Sequence, residues 1–291
     1  MKFNIPNFQE HVILAPFTTM KVGGPARWFV TVATTKEFIH AVREALRNNV
    51  PYCVLGKGAN VLISDKGFDG LMIRAKNSHY VFRDTHVTAE AGTDLTTLVM
   101  QSAQRGLAGL EFAAGIPSTL GGAVRGNAGS RESEMKNVIE TVDILNAKGE
   151  QKTLTVAQCE FSYRNSRMKQ QKEIVLSAVL KLERGSKDTI LEKVKENFSR
   201  KHKTQELKFP SSGCIFMNPA ASAAGKLIEN AGLKGMRIGG AKISEIHGNF
   251  VINENNATAE DIIMLISVIK QKIRTLYRIQ LHEEIQYIGF D

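Results

Sequence analysis

The chain has 291 residues, 43% of them hydrophobic and 23% charged, which excludes a disordered or collagen-like polymer and predicts two or three globular domains. Its 38 Lys and Arg outnumber 29 Asp and Glu, for a formal charge of +9. That balance fits either a solvated basic surface or an anionic partner: nucleic acid, a membrane or a phosphorylated small molecule. The densest basic cluster, Arg200, Lys201, His202 and Lys203, lacks interleaved aromatics, which argues against nucleic acid.

Thr34 and Glu37 have capping-box spacing, and Phe38, Val42, Ala45 and Leu46 follow on one helical face. This predicts a helix that stops near Asn48 and Asn49. A short strand over 52–55 leads into the glycine loop 56–60 and a second apolar strand over 61–63. Short strands are expected over 71–92 and a helix over 94–105, with Gly106 as its stop. Residues 109–129 are rich in small side chains and read as a long loop. Strands are expected over 142–145 and 174–182 with a turn at Lys148 and Gly149, then a basic helix over 190–203. A last helix from Thr258 has Ile262, Leu265, Ile266, Ile269, Ile273 and Leu276 as its apolar stripe, and 280–288 reads as a strand. The class is α+β with mixed sheets and no regular βαβ series.

The three cysteines, Cys53, Cys159 and Cys214, form no CxxC pair, so neither a disulfide framework nor a structural zinc site is expected. No His, Cys and Asp cluster has metal-ligand spacing, so no metal is predicted. Residues 1–10 lack the apolar core of a signal peptide, and the strongly apolar stretch 262–269 is too short to span a bilayer. A cytoplasmic protein without membrane insertion is expected.

Two glycine-rich loops suggest a ligand. In Gly56-Lys57-Gly58-Ala59-Asn60 the glycines let backbone N–H groups approach a phosphate, although the spacing fits neither a dinucleotide fingerprint nor a P-loop. A ligand-free β-turn is the simpler reading of this loop alone. The second, 110–129, has too many small residues to fill a core; a flexible loop is the plainer reading, but Ile116 and Pro117 stiffen it, as backbone lying along an extended ligand would be. Ser118, Thr119 and Asn127 could add hydrogen bonds there, and Arg125 a charge.

These loops resemble the FAD-binding domain of vanillyl-alcohol oxidase-type flavoproteins. With Tyr163-Arg164-Asn165-Ser166 and the segments 210–219, 225–235 and 282–289, the ordered set resembles the UDP-N-acetylenolpyruvoylglucosamine reductase family, shorter branch, over essentially the whole chain. The resemblance implies non-covalent FAD held by Gly56, Lys57, Gly58, Ala59, Asn60, Val61, Gly115, Pro117, Ser118, Thr119, Gly121, Gly122, Ala123, Asn127, Ala128 and Gly129. It implies a two-part FAD domain, 1–70 and 71–200, with 280–291 packing back on the first part. A substrate domain would then span 201–279. NADPH as hydride donor, a UDP-sugar substrate and a monomer complete the expectation.

Such a reaction needs a cation for the charge that develops on the substrate carboxylate, and an acid to deliver a proton. Arg164 alone would read as a surface residue, and Cys214 as a small buried hydrophobe or a reactive loop thiol. The resemblance makes Arg164 the catalytic arginine, Cys214 the proton donor and Glu284 the catalytic carboxylate. Glu283, pointing the other way along a strand, is left to solvent. Tyr163, Asn218, Lys226 and Asn249 are expected at the substrate, and Ser244, His247 and Asn253 near it. The sequence departs from the family at Met217, where Lys or Arg is usual, at Ser118, where Gly is usual, and at Glu206, where Pro is common. A different flavin-dependent sugar or alcohol oxidoreductase is the alternative, against which stands the absence of a His beside the loops. A catalytically silent nucleotide-binding protein is the third reading.

Overall fold

The computed structural model describes residues 4–130 and 133–290. Residues 1–3, 131–132 and 291, which the expected divisions include, lie outside them. The chain forms two compact units, each assembled from three segments. The first comprises 1–9, 29–56 and 70–201, the second 10–28, 57–69 and 202–291. The chain passes between the units at 56/57, inside the strands Gln9–Ile13, Pro25–Val32 and Phe68–Ala75, and inside the helix Lys187–Thr204.

In the first unit, five antiparallel strands stand in the order Gln151–Thr155, Ile139–Leu145, Ile174–Lys181, His86–Glu90, Tyr80–Arg83. Alternation of buried and exposed positions, as in His86–Glu90, explains why one face is covered. The helix Leu120–Arg125 lies against Ile174–Lys181 and supplies part of that cover. Tyr52–Leu55 pairs in parallel with residues 71–74 of Phe68–Ala75. The helix Thr35–Arg47 begins as its sequence predicts. Thr34 accepts from Glu37 N at 3.2 Å, and the Glu37 carboxylate accepts from Thr34 N. Asp94 caps Leu95–Gln104 by accepting from Thr96 N and Thr97 N at 2.8 and 3.2 Å. Leu120–Arg125 is a helix where the sequence predicts a loop. Its two glycines hide it, while the Thr119 cap and the packing against Ile174–Lys181 supply what propensity lacks.

The second unit holds the antiparallel sheet Ser211–Cys214, Phe250–Asn253, Ala241–Ile243, Arg237–Ile238, in that order. Ala259–Tyr277 and Ala224–Asn230 cover it. Ile262, Leu265, Ile266, Ile269 and Ile273 join Ile215, Phe216, Leu227 and Val251 in one apolar core. Leu276, assigned to the same stripe from sequence, is 50% exposed, because the stripe has rotated away from the core by the last turn. The expected strand over 280–288 shortens to Gln286–Ile288, which pairs in parallel with Val61–Ile63. Among the described residues no helix is long and apolar enough to cross a membrane.

The N-terminus of Ala259–Tyr277 is capped twice. Thr258 and Asp261 form a capping box, and the Asp65 carboxylate accepts from Ala259 N at 2.9 and 3.0 Å and from Glu260 N at 3.3 Å. A carboxylate there answers both the open N–H groups and the helix dipole. Asp65→Ala is therefore expected to lower the unfolding free energy by about 1–2 kcal/mol in urea titrations, with an unchanged m-value.

Candidate active site

The first loop starts in the first unit. A Cβ on Gly56 would stand 2.6 Å from Thr119 Oγ1, so only hydrogen fits and the two glycine-rich loops touch there. Within the second unit, Gly58 has a φ of +64°, and its carbonyl accepts from Thr19 N and Thr19 Oγ1 at 3.1 and 3.3 Å. Across the trans peptide, the Ala59 N–H must then point away from Thr19. The Asn60 carbonyl likewise accepts from Gln286 N at 3.1 Å, which turns the Val61 N–H the other way. Carbonyls engaged by the protein with N–H groups turned outward make a cradle for an anion, as the pyrophosphate of a dinucleotide requires. Lys57 brings a positive charge to the same loop.

The second loop behaves differently from its expected role as flat backbone along a ligand. Ser118 N bonds Ile116 O at 2.9 Å, Leu120 N bonds Thr93 O and Gly121 N bonds Ala91 O, both at 2.8 Å, and Gly122 N bonds Thr119 Oγ1 at 3.4 Å. These donors are committed to the protein. A Cβ on Gly121 would lie 2.8 Å from that of Ala91, and Ala123 is fully buried, so these two small residues serve helix packing. Gly115, Pro117, Ser118 and Gly122 remain at least partly exposed along the loop. Asn127 is buried. Its Nδ2 donates to Ser162 O, and its Oδ1 accepts from Lys136 N, both at 3.0 Å. It brackets the loop end, including Ala128 and Gly129, rather than reaching outward.

That bracket leads to Arg164. Ser162 and Asn165 exchange both backbone hydrogen bonds at 3.1 Å, leaving Tyr163 and Arg164 as the two residues of a tight turn. Arg164 has a φ of +56°, uncommon for a long side chain. Its Nη1 donates to Gly129 O at 3.1 Å and its guanidinium lies 5.7 Å from the Tyr163 ring centre. Lys169 Nζ holds the Arg164 carbonyl at 3.1 Å, and Ser166 Oγ, fully buried, donates to Arg125 O at 2.7 Å. The turn is thus fixed to the second glycine loop at several points in the first unit.

In the second unit, residues 282–284 run antiparallel to 215–217. Met217 N bonds His282 O at 2.9 Å, Phe216 pairs with Glu283, and Glu284 N donates to Ile215 O at 2.7 Å. Asn60 Nδ2 donates to Glu284 O at 3.2 Å. The segment bearing Cys214, the segment bearing Glu284 and the loop 57–60 are therefore knit together. Cys214 ends a strand whose register slips by one residue against Phe250–Asn253, a bulge that re-aims a side chain. Glu283 is held by Lys270 Nζ at 2.8 Å, an ion pair in place of the expected purely solvated position.

The other two thiols are kept inert. Burial pushes Cys53 up to about 11 despite nearby Arg125, and burial lifts Cys159 to about 11. Arg125 in turn is lowered, first by burial, and partly restored by Cys53.

Of the residues expected near the substrate, Tyr163, Asn218 and Lys226 are exposed. Asn218 Oδ1 also accepts from Ala224 N at 3.0 Å, capping Ala224–Asn230 where Ala223 cannot. Asn249 is 2% exposed and works as scaffold, in contrast to the sequence reading. Its side chain accepts from Phe216 N and donates to Phe216 O at 2.9 and 2.8 Å, while its carbonyl accepts from Ile215 N at 2.9 Å. Ser244 and Asn253 are also spent internally, on Ile246 N and His247 N, and on Met20 O and Ala257 N. His247 Nδ1 accepts from Asn249 N at 3.2 Å, and burial lowers its pKa, so it stays neutral. At the departures from the family pattern, Glu206 accepts from Ser244 Oγ at 3.3 Å and Ser118 Oγ donates to Thr119 O at 2.9 Å. Sequence reading missed Thr19, which anchors Gly58, and noted Lys201, which binds Ala114 O, only as one of a basic cluster.

Comparison with known proteins places the chain in a family. The profile of an FAD binding domain matches residues 26–155, and that of the C-terminal domain of UDP-N-acetylenolpyruvoylglucosamine reductase matches 205–288. The reductase of Anoxybacillus flavithermus is 39% identical over 295 residues, covering 99% of this chain and 97% of the relative. That of Bacillus subtilis is 40% identical, covering 95% and 92%. The crystal structure of the Thermus caldophilus reductase superposes with a TM-score of 0.83 at 35% identity, covering 96% of this chain and 98% of the other. With such identity over nearly its whole length, the chain belongs to the UDP-N-acetylenolpyruvoylglucosamine reductase family of FAD-dependent oxidoreductases.

Proposed function

We propose that this chain reduces the enolpyruvyl double bond of UDP-N-acetylglucosamine enolpyruvate to give UDP-N-acetylmuramate, a peptidoglycan precursor, with Arg164, Cys214 and Glu284 as its catalytic residues. The observation that carries the residue assignment is the main-chain knit that brings the Cys214 and Glu284 segments against the loop 57–60. Bound FAD, reduced by NADPH, supplies the hydride that adds to one carbon of the double bond.

The protein's own groups handle the charge and the proton. Hydride addition pushes an electron pair toward the pyruvyl carboxylate. The Arg164 guanidinium, always charged and able to grip a carboxylate with two N–H groups, stabilises that charge. The Cys214 thiol donates a proton to the other carbon. Its ordinary pKa of about 8.5 makes it a far better donor than a hydroxyl. Glu284 assists the protonation as a carboxylate on the same knit backbone. Glu283 cannot take this role while it is paired with Lys270. Tyr163 and Lys226, exposed in their respective units, are candidates for contact with the UDP-sugar. The reading carries with it a cytoplasmic monomer acting in cell-wall synthesis.

The purified protein is expected to show a flavin absorption spectrum that NADPH bleaches and the enolpyruvyl substrate restores. Bleaching by NADPH without recovery on adding substrate would favour another flavin-dependent oxidoreductase, and a colourless protein would favour neither. Cys214→Ala is expected to leave bleaching intact and slow substrate-dependent recovery by about 10²–10⁴-fold, with Cys214→Ser between. Normal recovery in Cys214→Ala removes the acid assignment.

Asn249 offers a separate check. Asn249→Ala strips the buried Phe216 N–H and C=O of their partners, which is expected to cost about 2–4 kcal/mol of stability by urea titration. Because Phe216 follows the thiol segment, recovery of the flavin spectrum should slow while bleaching does not.

A further inference from the structure

The helix Lys187–Thr204 presents Asn197 and Lys201 on one face. Asn197 Nδ2 donates to Glu111 O at 3.0 Å, and Lys201 Nζ donates to Ala114 O at 2.6 Å. One helix thus holds a carbonyl at each end of the short turn that precedes Gly115. Gly115 has a φ of +73°, and a Cβ there would stand 3.1 Å from Lys201 Cδ and 3.4 Å from Phe198. The lysine stem lies directly along this backbone.

The charges around Lys201 oppose it. Arg200 on its own helix and Arg164 from the 162–165 turn both repel its ammonium. Glu111, in the turn it holds, spends Oε2 on Gly109 N at 2.6 Å, and Arg200 Nη2 donates to Asn197 Oδ1 at 2.6 Å. Burial first, then the two arginines, bring Lys201 down from 10.5 to about 8. A depressed lysine means that the folded state gains stability as pH rises from about 8 toward 10.5, where the unfolded chain alone remains protonated. At neutral pH the ammonium is therefore kept at a cost in stability, and a charged donor makes a stronger bond to Ala114 O than a neutral amine would.

We propose that Lys201 is a positioning residue for the flavin: by holding the Ala114 carbonyl it fixes the backbone of 115–119 for cofactor binding. The inference rests on the FAD reading above. It predicts flavin affinity that falls as pH rises past 8 in the wild type.

The test separates free from bound FAD by ultrafiltration of the purified holoprotein at serial dilutions, on both sides of pH 8. Lys201→Met is expected to raise the FAD dissociation constant about tenfold at neutral pH, the scale of one charge-assisted hydrogen bond. Lys201→Arg should keep wild-type affinity and lose the pH step, since a guanidinium stays charged. KM for the sugar nucleotide should stay within about twofold in both variants, because the role is exerted through the loop. Thermal unfolding of flavin-free Lys201→Met at neutral pH should occur no lower than in the flavin-free wild type, which separates lost positioning from failed folding. Wild-type FAD affinity in Lys201→Met, or a pH step that persists in Lys201→Arg, overturns the proposal. Wild-type protein that takes up no FAD overturns the flavin reading with it.

Discussion

One main-chain bond, from Glu284 N to Ile215 O at 2.7 Å, organises the second unit's chemistry. It aligns the thiol-bearing and carboxylate-bearing segments, and the next contacts extend the alignment. Asn60 Nδ2 takes the Glu284 carbonyl, Gln286 N takes the Asn60 carbonyl, and the ladder of Val61–Ile63 with Gln286–Ile288 continues it. Groups set by backbone pairing hold their positions better than groups set by flexible side chains. The same pairing that turns carbonyls of the first glycine loop inward turns N–H groups outward. The alignment of the Cys214 and Glu284 segments and the turn of the Asn60 carbonyl share these bonds, while Thr19 fixes the Gly58 carbonyl separately.

The titratable groups are sorted by their surroundings. Cys53 and Cys159 are lifted to about 11 by burial, which keeps them as thiols through the neutral range. Glu283 is paired with Lys270, which commits its carboxylate to an ion pair. In the first unit Arg200 and Arg164 both repel the partly desolvated Lys201. Clustered like charge of this kind is unfavourable in the isolated fold and favourable toward an anion. The overall +9 is therefore better read through these local groups than as a uniform basic surface.

Local signals in the sequence predicted the elements they control. The capping boxes at Thr34 and Thr258 mark helix starts that the structure places one residue later. The short helix Leu120–Arg125 was hidden by Gly121 and Gly122, because its stability comes from contact with Ala91 and with Ile174–Lys181. Asn249 was read as a substrate contact because an exposed polar residue and a buried bracket look alike in sequence. Only the fold shows that its amide meets Phe216 twice. Thr19 and the role of Lys201 were missed for the same reason: each acts on a backbone carbonyl far away in the chain, and carbonyls leave no trace in residue identity.

Backbone irregularity marks the segments that carry Cys214 and Arg164. Cys53 lies in the strand Tyr52–Leu55, paired in parallel without a slip, and Cys159 lies in a short helical turn. Cys214 follows Gly213, whose φ is +75° in a spot where a Cβ would meet nothing within 4 Å, so the glycine answers a conformational demand and not a steric one. The bulge it creates redirects the thiol out of the regular strand alternation. Arg164 adopts a positive φ with a full side chain, a conformation that costs about 1 kcal/mol or more and persists only where neighbours over-determine it. Here Lys169, Gly129 and the paired Ser162 and Asn165 supply that determination.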